Sequence, residues 1–152
     1  MRPINKPLGI DQCYCFTTRK AARLISRFYD THLERSGLRI TQFLTLAALE
    51  ELGGAAVNAL AERLEIERTA MGKMVDVLER DGLVSIKRSP TDGRSRLIEL
   101  TKEGARLHER AVPLWREAQR EFERLNGVQK VTALRQGLAE MLVGDVATNS
   151  FG

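Results

Sequence analysis

Apolar residues recur every three to four positions along most of the chain, which is the spacing of the buried face of an α-helix. Six stretches show this pattern; the first covers residues 13–34 and the last covers residues 131–142. The pattern changes in two short segments, 83–88 and 95–100, where strong β-formers favour strands. The sequence therefore predicts a mainly α fold that contains one small β-hairpin.

Capping residues and glycines predict where the helices begin and end. Thr41 and Thr101 are the predicted N-caps of the second and fifth helices, because a hydroxyl oxygen accepts a hydrogen bond from a free backbone N–H group. Gly37 and Gly53 fall where the first and second helices should stop. A short extended segment at 55–57 is expected after the second helix.

A helix-turn-helix is predicted between residues 60 and 80. The third helix spans two turns around 60–64, three residues link it to the fourth helix, and the fourth helix covers 68–80. The predicted buried stripe of the fourth helix consists of Met71, Met74, Val75 and Leu78. Its other side carries Arg68, Thr69, Gly72, Lys73, Asp76 and Arg80. The hairpin follows, and its loop at 89–95 forms a wing. A helix next to a wing suggests DNA binding.

Positive charge is concentrated at the wing. The 152 residues are 43% hydrophobic, enough to form the core of one domain, and carry a net charge of +4. Residues 57–100 contain eight basic and eight acidic residues, so this segment is neutral overall. Between 87 and 96, however, Asp92 alone faces four basic residues, Lys87, Arg88, Arg94 and Arg96. The loop therefore has a local electrostatic footprint suited to a polyanion.

Composition argues against several other classes of protein. No apolar run approaches the ~18 residues of a membrane span, and the N-terminus lacks a signal peptide's apolar centre, so we expect a cytoplasmic protein without membrane contact. His32 and His108 lie on different predicted helices, with no nucleophile, acid pair or metal-ligand spacing beside them. We therefore expect no catalysis, no metal and no cofactor. The alternatives are a winged helix used for protein–protein contact and, more remotely, a small enzyme.

The exposed positions of the fourth helix offer chemistry for reading DNA. Arg68 and Lys73 have donors for guanine edges or phosphates, Thr69 can hydrogen-bond to either, and Ala70 can touch a thymine methyl group. The alternative interpretation is an ordinary solvated helix face. Gly72 costs about 1 kcal/mol relative to alanine inside a helix. Close approach to a DNA groove would explain this glycine, and so would tight packing against a neighbouring helix.

The wing supplies a second set of candidate DNA contacts, Asp92, Arg94 and Ser95. A guanidinium group at the loop tip suits a narrow minor groove, whose negative potential attracts it. Asp92 is placed to shape the turn and orient Arg94. The alternative interpretation is a solvated loop charge pair, which contributes ~0 to 1 kcal/mol to stability.

Three blocks of sequence resemble the MarR-type winged-helix transcriptional regulators. The most specific block is Asp92-Gly93-Arg94 followed by Leu100-Thr101 and Gly104, which matches the family's wing signature D-x-R-x(5)-L-T-x-x-G. In register with it are Leu60-Ala61-Glu62-Arg63-Leu64 before the turn and Leu78-Glu79-Arg80-Asp81-Gly82-Leu83-Val84 at the end of the fourth helix. The resemblance extends over residues 12–142.

The resemblance implies a homodimer that represses transcription under ligand control and binds double-stranded DNA at a palindromic operator. Residues 10–36 and 104–144 are then expected to form dimerisation helices, and residues 37–103 the winged helix-turn-helix. Residues 1–9 are expected to be a flexible arm and residues 145–152 a tail. A two-fold dimer places its two recognition helices about one DNA turn apart, ~34 Å.

Cys15-Phe16 resembles the Cys-Phe of the family's organic-hydroperoxide-sensing members, and Tyr29 falls where those members have a tyrosine. Cys13 and Cys15 are therefore candidate redox residues; the alternative is that each free thiol is a small buried hydrophobe. Two residues apart on a helix, their side chains diverge by ~200°, so a disulfide bond between them is not favoured.

Other members of the family bind small phenolic or anionic effectors. Candidate effector residues here are Arg27, Phe28, Tyr29, His32 and Trp115, each of which core packing or a solvated surface would also explain.

Overall fold

The computed structural model describes residues 7–88, 91 and 95–141. Within these ranges the elements follow in the order α1 (Tyr14–Leu33), α2 (Ile40–Leu52), α3 (Val57–Leu64), α4 (Arg68–Arg80), β1 (Val84–Arg88), β2 (Arg96–Leu100), α5 (Lys102–Asn126) and α6 (Val128–Ala139). Short 3-10 turns, Ile10–Gln12 and Glu34–Ser36, flank α1. The predicted mainly α fold with a small hairpin is confirmed.

The chain divides into two compact units, Met1–Trp115 and Arg116–Gly152. The hydrophobic core belongs to the first unit and is built from the inward faces of α2, α3, α4 and the hairpin. Its most buried side chains, each at most 1% exposed, include Leu33, Leu46, Leu49, Leu60, Met71, Leu78 and Ile98. Removal of these side chains from water provides the main stabilisation of helices this short, since isolated helices of two or three turns are marginal in water.

The second helix begins at Ile40, two residues earlier than an N-cap at Thr41 predicts, and its N-cap is Arg39. The backbone N–H of Ile40, the first residue of α2, donates a hydrogen bond to Oδ1 of Asp30 on α1 over 2.7 Å. The N–H of Arg39 donates to Oε1 of Gln42 over 3.0 Å. A carboxylate from another helix therefore satisfies the first free N–H group of α2, and the helix begins before Thr41.

The hairpin strands pair antiparallel, with Val84 opposite Leu100 and Arg88 opposite Arg96. Each strand begins one residue later than predicted. Ala55 adds a bridge to β2, because its N–H and C=O groups exchange hydrogen bonds of 2.9 and 2.8 Å with Ile98. The extended segment predicted at 55–57 consists of Ala55 and of Ala56, which has extended backbone angles as the N-cap of α3, whereas Val57 already belongs to α3.

Thr101 is the predicted N-cap of α5, and the structure confirms this role. Its Oγ1 accepts a hydrogen bond from the N–H of Gly104 over 3.0 Å and donates one to the carbonyl of Gly82 over 2.6 Å. Its own N–H donates to the carbonyl of Leu83 over 3.1 Å. Two of these hydrogen bonds join the start of α5 to the chain that leaves α4, and the third caps the helix itself.

The last helix begins at Val128, three residues before the predicted start, and runs to Ala139. Leu142, the predicted end of this helix, and the predicted tail at 145–152 lie outside the described residues, as does most of the predicted N-terminal arm. Among the helices that the structure describes, none is both long and apolar enough to cross a membrane.

Candidate nucleic-acid interface

A tight turn joins α3 to α4 and sets the direction of α4. Glu65 adopts left-handed backbone angles, φ 51° and ψ 45°, at the end of α3. The N–H of Ile66 then donates to the carbonyl of Ala61 over 2.9 Å, which satisfies one of the last free carbonyls of that helix. Ile66 packs against the core. The left-handed conformation costs a non-glycine residue about 1–2 kcal/mol, so the surrounding core must hold this turn in place.

The predicted buried stripe of α4 is confirmed, because Met71, Val75 and Leu78 are at most 1% exposed. Met74 packs at the edge of the same core, and Oγ1 of the buried Thr45 on α2 lies 2.9 Å from its Sδ. With one side anchored in this way, the opposite side of α4 faces solvent. The structure thus fixes which residues of the helix a ligand can reach.

The exposed side of α4 carries the residues predicted from sequence for DNA contact. Arg68, Thr69, Ala70 and Lys73 are all exposed. Gly72 lies among them, and a Cβ built on it would meet no atom of the described residues within 4 Å. Tight packing against a neighbouring helix of the chain therefore does not explain Gly72, and the interpretation that remains is close approach of an outside partner.

Two further positions on this face were not included among the predicted contacts. Asp76 is exposed in line with Thr69 and Lys73, and Val77 is 38% exposed in line with Ala70. Both are separated by seven residues from a predicted contact, which returns a helix to within about 20° of the same direction. That spacing is visible in the sequence and could have identified them.

The wing strands bring like charges together. Arg88 and Arg96 are directly opposite each other at the loop end of the hairpin, and both side chains are exposed. Like charges in this position repel and destabilise a hairpin, unless a polyanion lies against them. Nζ of Lys87, by contrast, is paired with Oε2 of Glu99 at 3.0 Å. Ser95 is half-buried, and the predicted contacts Asp92 and Arg94 lie outside the described residues.

Comparison with known proteins assigns this arrangement to a family. A model of the MarR family matches residues 36–95, which include the helix-turn-helix and β1. The organic hydroperoxide resistance transcriptional regulator of Bacillus subtilis is 33% identical over 107 residues, which cover 70% of this chain and 73% of that protein. The chain belongs to the MarR family.

This MarR-family chain is also similar to regulators from other bacteria. The homoprotocatechuate degradative operon repressor of Escherichia coli is 32% identical over 110 residues, 72% of this chain and 74% of that protein. The structure of the M. tuberculosis transcriptional regulator MosR in complex with DNA matches with a TM-score of 0.72 and 39% identity, over 85% of this chain and 97% of that one. The predicted family and the predicted winged-helix regulator fold are confirmed.

The aromatic effector candidates of the MarR-family chain fall into two groups. On α1, the ring of Phe28 lies 5.8 Å from that of Tyr29 and 4.6 Å from that of His32, whose Nδ1 is 2.9 Å from the carbonyl oxygen of Phe28. Trp115 instead stacks on Phe43 of α2 at 6.0 Å and packs at the edge of the core. Arg27 is exposed.

His108 completes the stack around Phe43 and was not predicted as a functional residue. Its ring lies 5.2 Å from that of Phe43, and its Nδ1 is 3.0 Å from Oε2 of Glu50 at the end of α2. The histidine is buried, with 6% of its surface exposed. Phe43 is thus flanked by two aromatic side chains of α5, which attach the first half of that helix to α2.

Both thiols are exposed and free, so the alternative of a small buried hydrophobe is wrong for this chain by itself. Cys15 lies in the first turn of α1. Cys13 precedes the helix and has extended backbone angles, φ −78° and ψ 119°. The two thiols therefore do not lie within one helix, and the side-chain divergence of ~200° expected for two positions of a helix does not apply to them.

Proposed function

We propose that this MarR-family regulator acts as a homodimer on a palindromic operator, with α4 in the major groove and the wing in the flanking minor groove. The observation that carries the proposal is the exposed side of α4. Arg68, Thr69 and Lys73 face solvent on a helix whose opposite side is anchored in the core. These residues supply the hydrogen-bond donors that base edges and phosphates require.

The opposed arginines of the wing strands support a contact with DNA phosphates. Arg88 and Arg96 repel each other in the free protein and would be neutralised by a phosphate backbone that runs past the hairpin. Arg94, in the segment of sequence that links β1 to β2, is the residue proposed to enter the minor groove. Asp92 and Ser95 are proposed to shape the loop that presents it. A DNA-bound role also places the protein in the cytoplasm.

Exposed apolar side chains support the proposed dimer. In the unit Arg116–Gly152, α6 exposes Val128, Leu134 and Leu138, which are 59%, 46% and 49% accessible. In the other unit, α1 exposes Tyr14 and Leu24. Surfaces of this kind are covered by a partner in regulators of this size. Residues 10–36 and 104–144 are accordingly proposed as dimerisation helices, around the winged region at 37–103.

The first prediction separates base reading from phosphate contact. Lys73→Ala is expected to weaken operator binding by about tenfold and to relax the preferred sequence at one position of each half-site. Arg94→Ala is expected to weaken binding on operator and unrelated DNA alike. Binding constants measured against salt, with the exposed Arg110→Ala on α5 as the control for net charge, test both expectations.

The control for this experiment is the salt dependence of the wild type. The logarithm of the binding constant should fall linearly with the logarithm of the salt concentration, by about 0.9 for each phosphate contacted. Affinity that is indifferent to salt would point to a winged helix used for protein–protein contact. Wild-type binding by both the Lys73 and the Arg94 variants would refute the assigned contacts.

We also propose that an oxidant or a small phenolic or anionic molecule controls DNA binding. The exposed Cys15 thiol supports the oxidant, since its thiolate can attack the O–O bond of an organic hydroperoxide, which gives a sulfenic acid on Cys15 and releases an alcohol. The group of Phe28, Tyr29 and His32 supports an aromatic ligand. Arg27 offers a charge for an anion.

The second prediction concerns the thiols. Cumene hydroperoxide is expected to release the wild type and Cys13→Ser from DNA, while Cys15→Ser stays bound. A gel-shift titration with the oxidant, followed by reduction with dithiothreitol, measures release and recovery. Equal release of Cys15→Ser and wild type would eliminate Cys15 as the sensor and leave its role in DNA binding untouched.

A further inference from the structure

The exposed side of α4 contains one acidic residue in line with its proposed DNA contacts. Asp76 follows Thr69 by seven residues and Lys73 by three. Thr69, Gly72, Lys73 and Asp76 thus occupy positions i, i+3, i+4 and i+7 of one helix face, which is the spacing at which a recognition helix meets base edges in a major groove. Their extent along the axis is about 10 Å.

The carboxylate of Asp76 has no partner among residues 7–88, 91 and 95–141. Lys73 and Arg80 lie three residues before and four residues after it, yet Asp76 makes no ion pair or hydrogen bond with any residue that the structure describes. A surface carboxylate flanked by two cations could form such a pair at little cost. Asp76 is therefore available to an outside donor.

A carboxylate on this face has a narrow choice of partners. An ionised carboxylate only accepts hydrogen bonds, and phosphate oxygens repel it. In the major groove, guanine N7 and O6 and thymine O4 are also acceptors, whereas the N4 amino group of cytosine and the N6 amino group of adenine are donors. The adenine donor lies beside the acceptor N7 of the same base, which repels a carboxylate. Among the four base pairs, the contact chemistry of a single carboxylate favours cytosine.

We propose that Asp76 is a specificity-determining residue that accepts a hydrogen bond from the N4 amino group of one cytosine in each half-site. This inference rests on the proposed function, because it requires α4 to lie in the major groove. Asp76 also disfavours registers in which its charge faces base acceptors or phosphates.

The test is selection of binding sites from a randomised duplex library by wild type, Asp76→Ala, Asp76→Asn and the control Asp81→Asn. Wild type should select a cytosine at one position of each half-site. Asp76→Ala should lose this preference by about fivefold or more and bind unrelated DNA more tightly. Asp76→Asn should shift the preference to adenine, because an amide pairs with adenine N6 and N7. Asp81→Asn, an exposed carboxylate beyond the end of the helix, should select the wild-type site.

The outcomes distinguish a failure of the role proposed for Asp76 from a failure of the proposed DNA-binding function. A wild-type consensus that Asp76→Ala retains at every position would overturn the role of Asp76 while leaving the proposed function standing. If the wild type selected no consensus sequence, both the role of Asp76 and the proposed function would be overturned. A merely structural role for Asp76 predicts a uniform loss of affinity and no change of base, so the shift to adenine in Asp76→Asn is the result that supports the proposal most directly.

Discussion

Gly104→Ala is expected to destabilise the protein by about 3 kcal/mol or more, at the upper end of the effects of single substitutions. Gly104 is buried in the first turn of α5, and a Cβ built there would overlap the carbonyl oxygen of Leu83 and lie 2.9 Å from its carbonyl carbon. Because these are backbone atoms, no side-chain rotation can relieve the overlap.

The surrounding hydrogen bonds make this overlap difficult to accommodate. The carbonyl of Leu83 accepts the N–H of Thr101, and the carbonyl of Gly82 accepts its hydroxyl. A shift of either segment would break contacts that join α5 to the end of α4. The wing signature L-T-x-x-G is thereby explained: the threonine caps the helix and ties it to residues 82 and 83, and the glycine allows the two backbones to approach.

Urea unfolding of wild type, Gly104→Ala and Gly72→Ala measures this effect against a matched substitution. Both glycines are helical, but the position of a Cβ at Gly72 is open. Gly72→Ala should therefore stabilise the protein by about 1 kcal/mol, the difference in helix propensity. Equal stability of Gly104→Ala and wild type would show that the junction between α4 and α5 tolerates a methyl group, contrary to this account.

Gly72→Leu is expected to lower operator affinity by about 100-fold while the protein remains folded. Nothing in the described part of the chain lies within 4 Å of an added Cβ, so the side chain has room there in the free protein. In the proposed complex it would point at the DNA and lift Thr69 and Lys73 from their contacts, each worth about 1–3 kcal/mol of discrimination. The operator affinity of Gly72→Ala should lie between those of wild type and Gly72→Leu. Its stability should therefore rise while its DNA affinity falls.

Fluorescence anisotropy with an operator duplex measures the affinities, and circular dichroism checks that each variant is folded. Affinity should fall in the order wild type, Gly72→Ala, Gly72→Leu, as the side chain at this position grows. Operator binding that is independent of the size of this side chain would mean that α4 does not approach DNA closely here. The glycine would then have no explanation in the described structure.

The residue pattern alone determined the main features of this regulator. The spacing of apolar side chains predicted the six helices, because one buried stripe recurs with the period of the helix, and β-formers predicted the hairpin. Thr101 indicated the start of α5, since a helix cap depends on residues within four positions of it. The exposed side of α4 was predicted for the same reason: its direction follows from the position of Met71, Val75 and Leu78 on the opposite side.

Features that depend on distant residues were decided only by the tertiary structure. Asp30 replaces Thr41 at the start of α2 because a carboxylate ten residues away reaches the free N–H of Ile40. Glycine is required at position 104 because the backbone of Leu83, twenty-one residues earlier in the chain, lies where a Cβ would be. At position 72 the described residues leave the place of a Cβ empty. The repulsion between Arg88 and Arg96 depends on strand register. A sequence specifies local hydrogen bonds and periodic faces, whereas contacts across the core are set only when all the elements are packed.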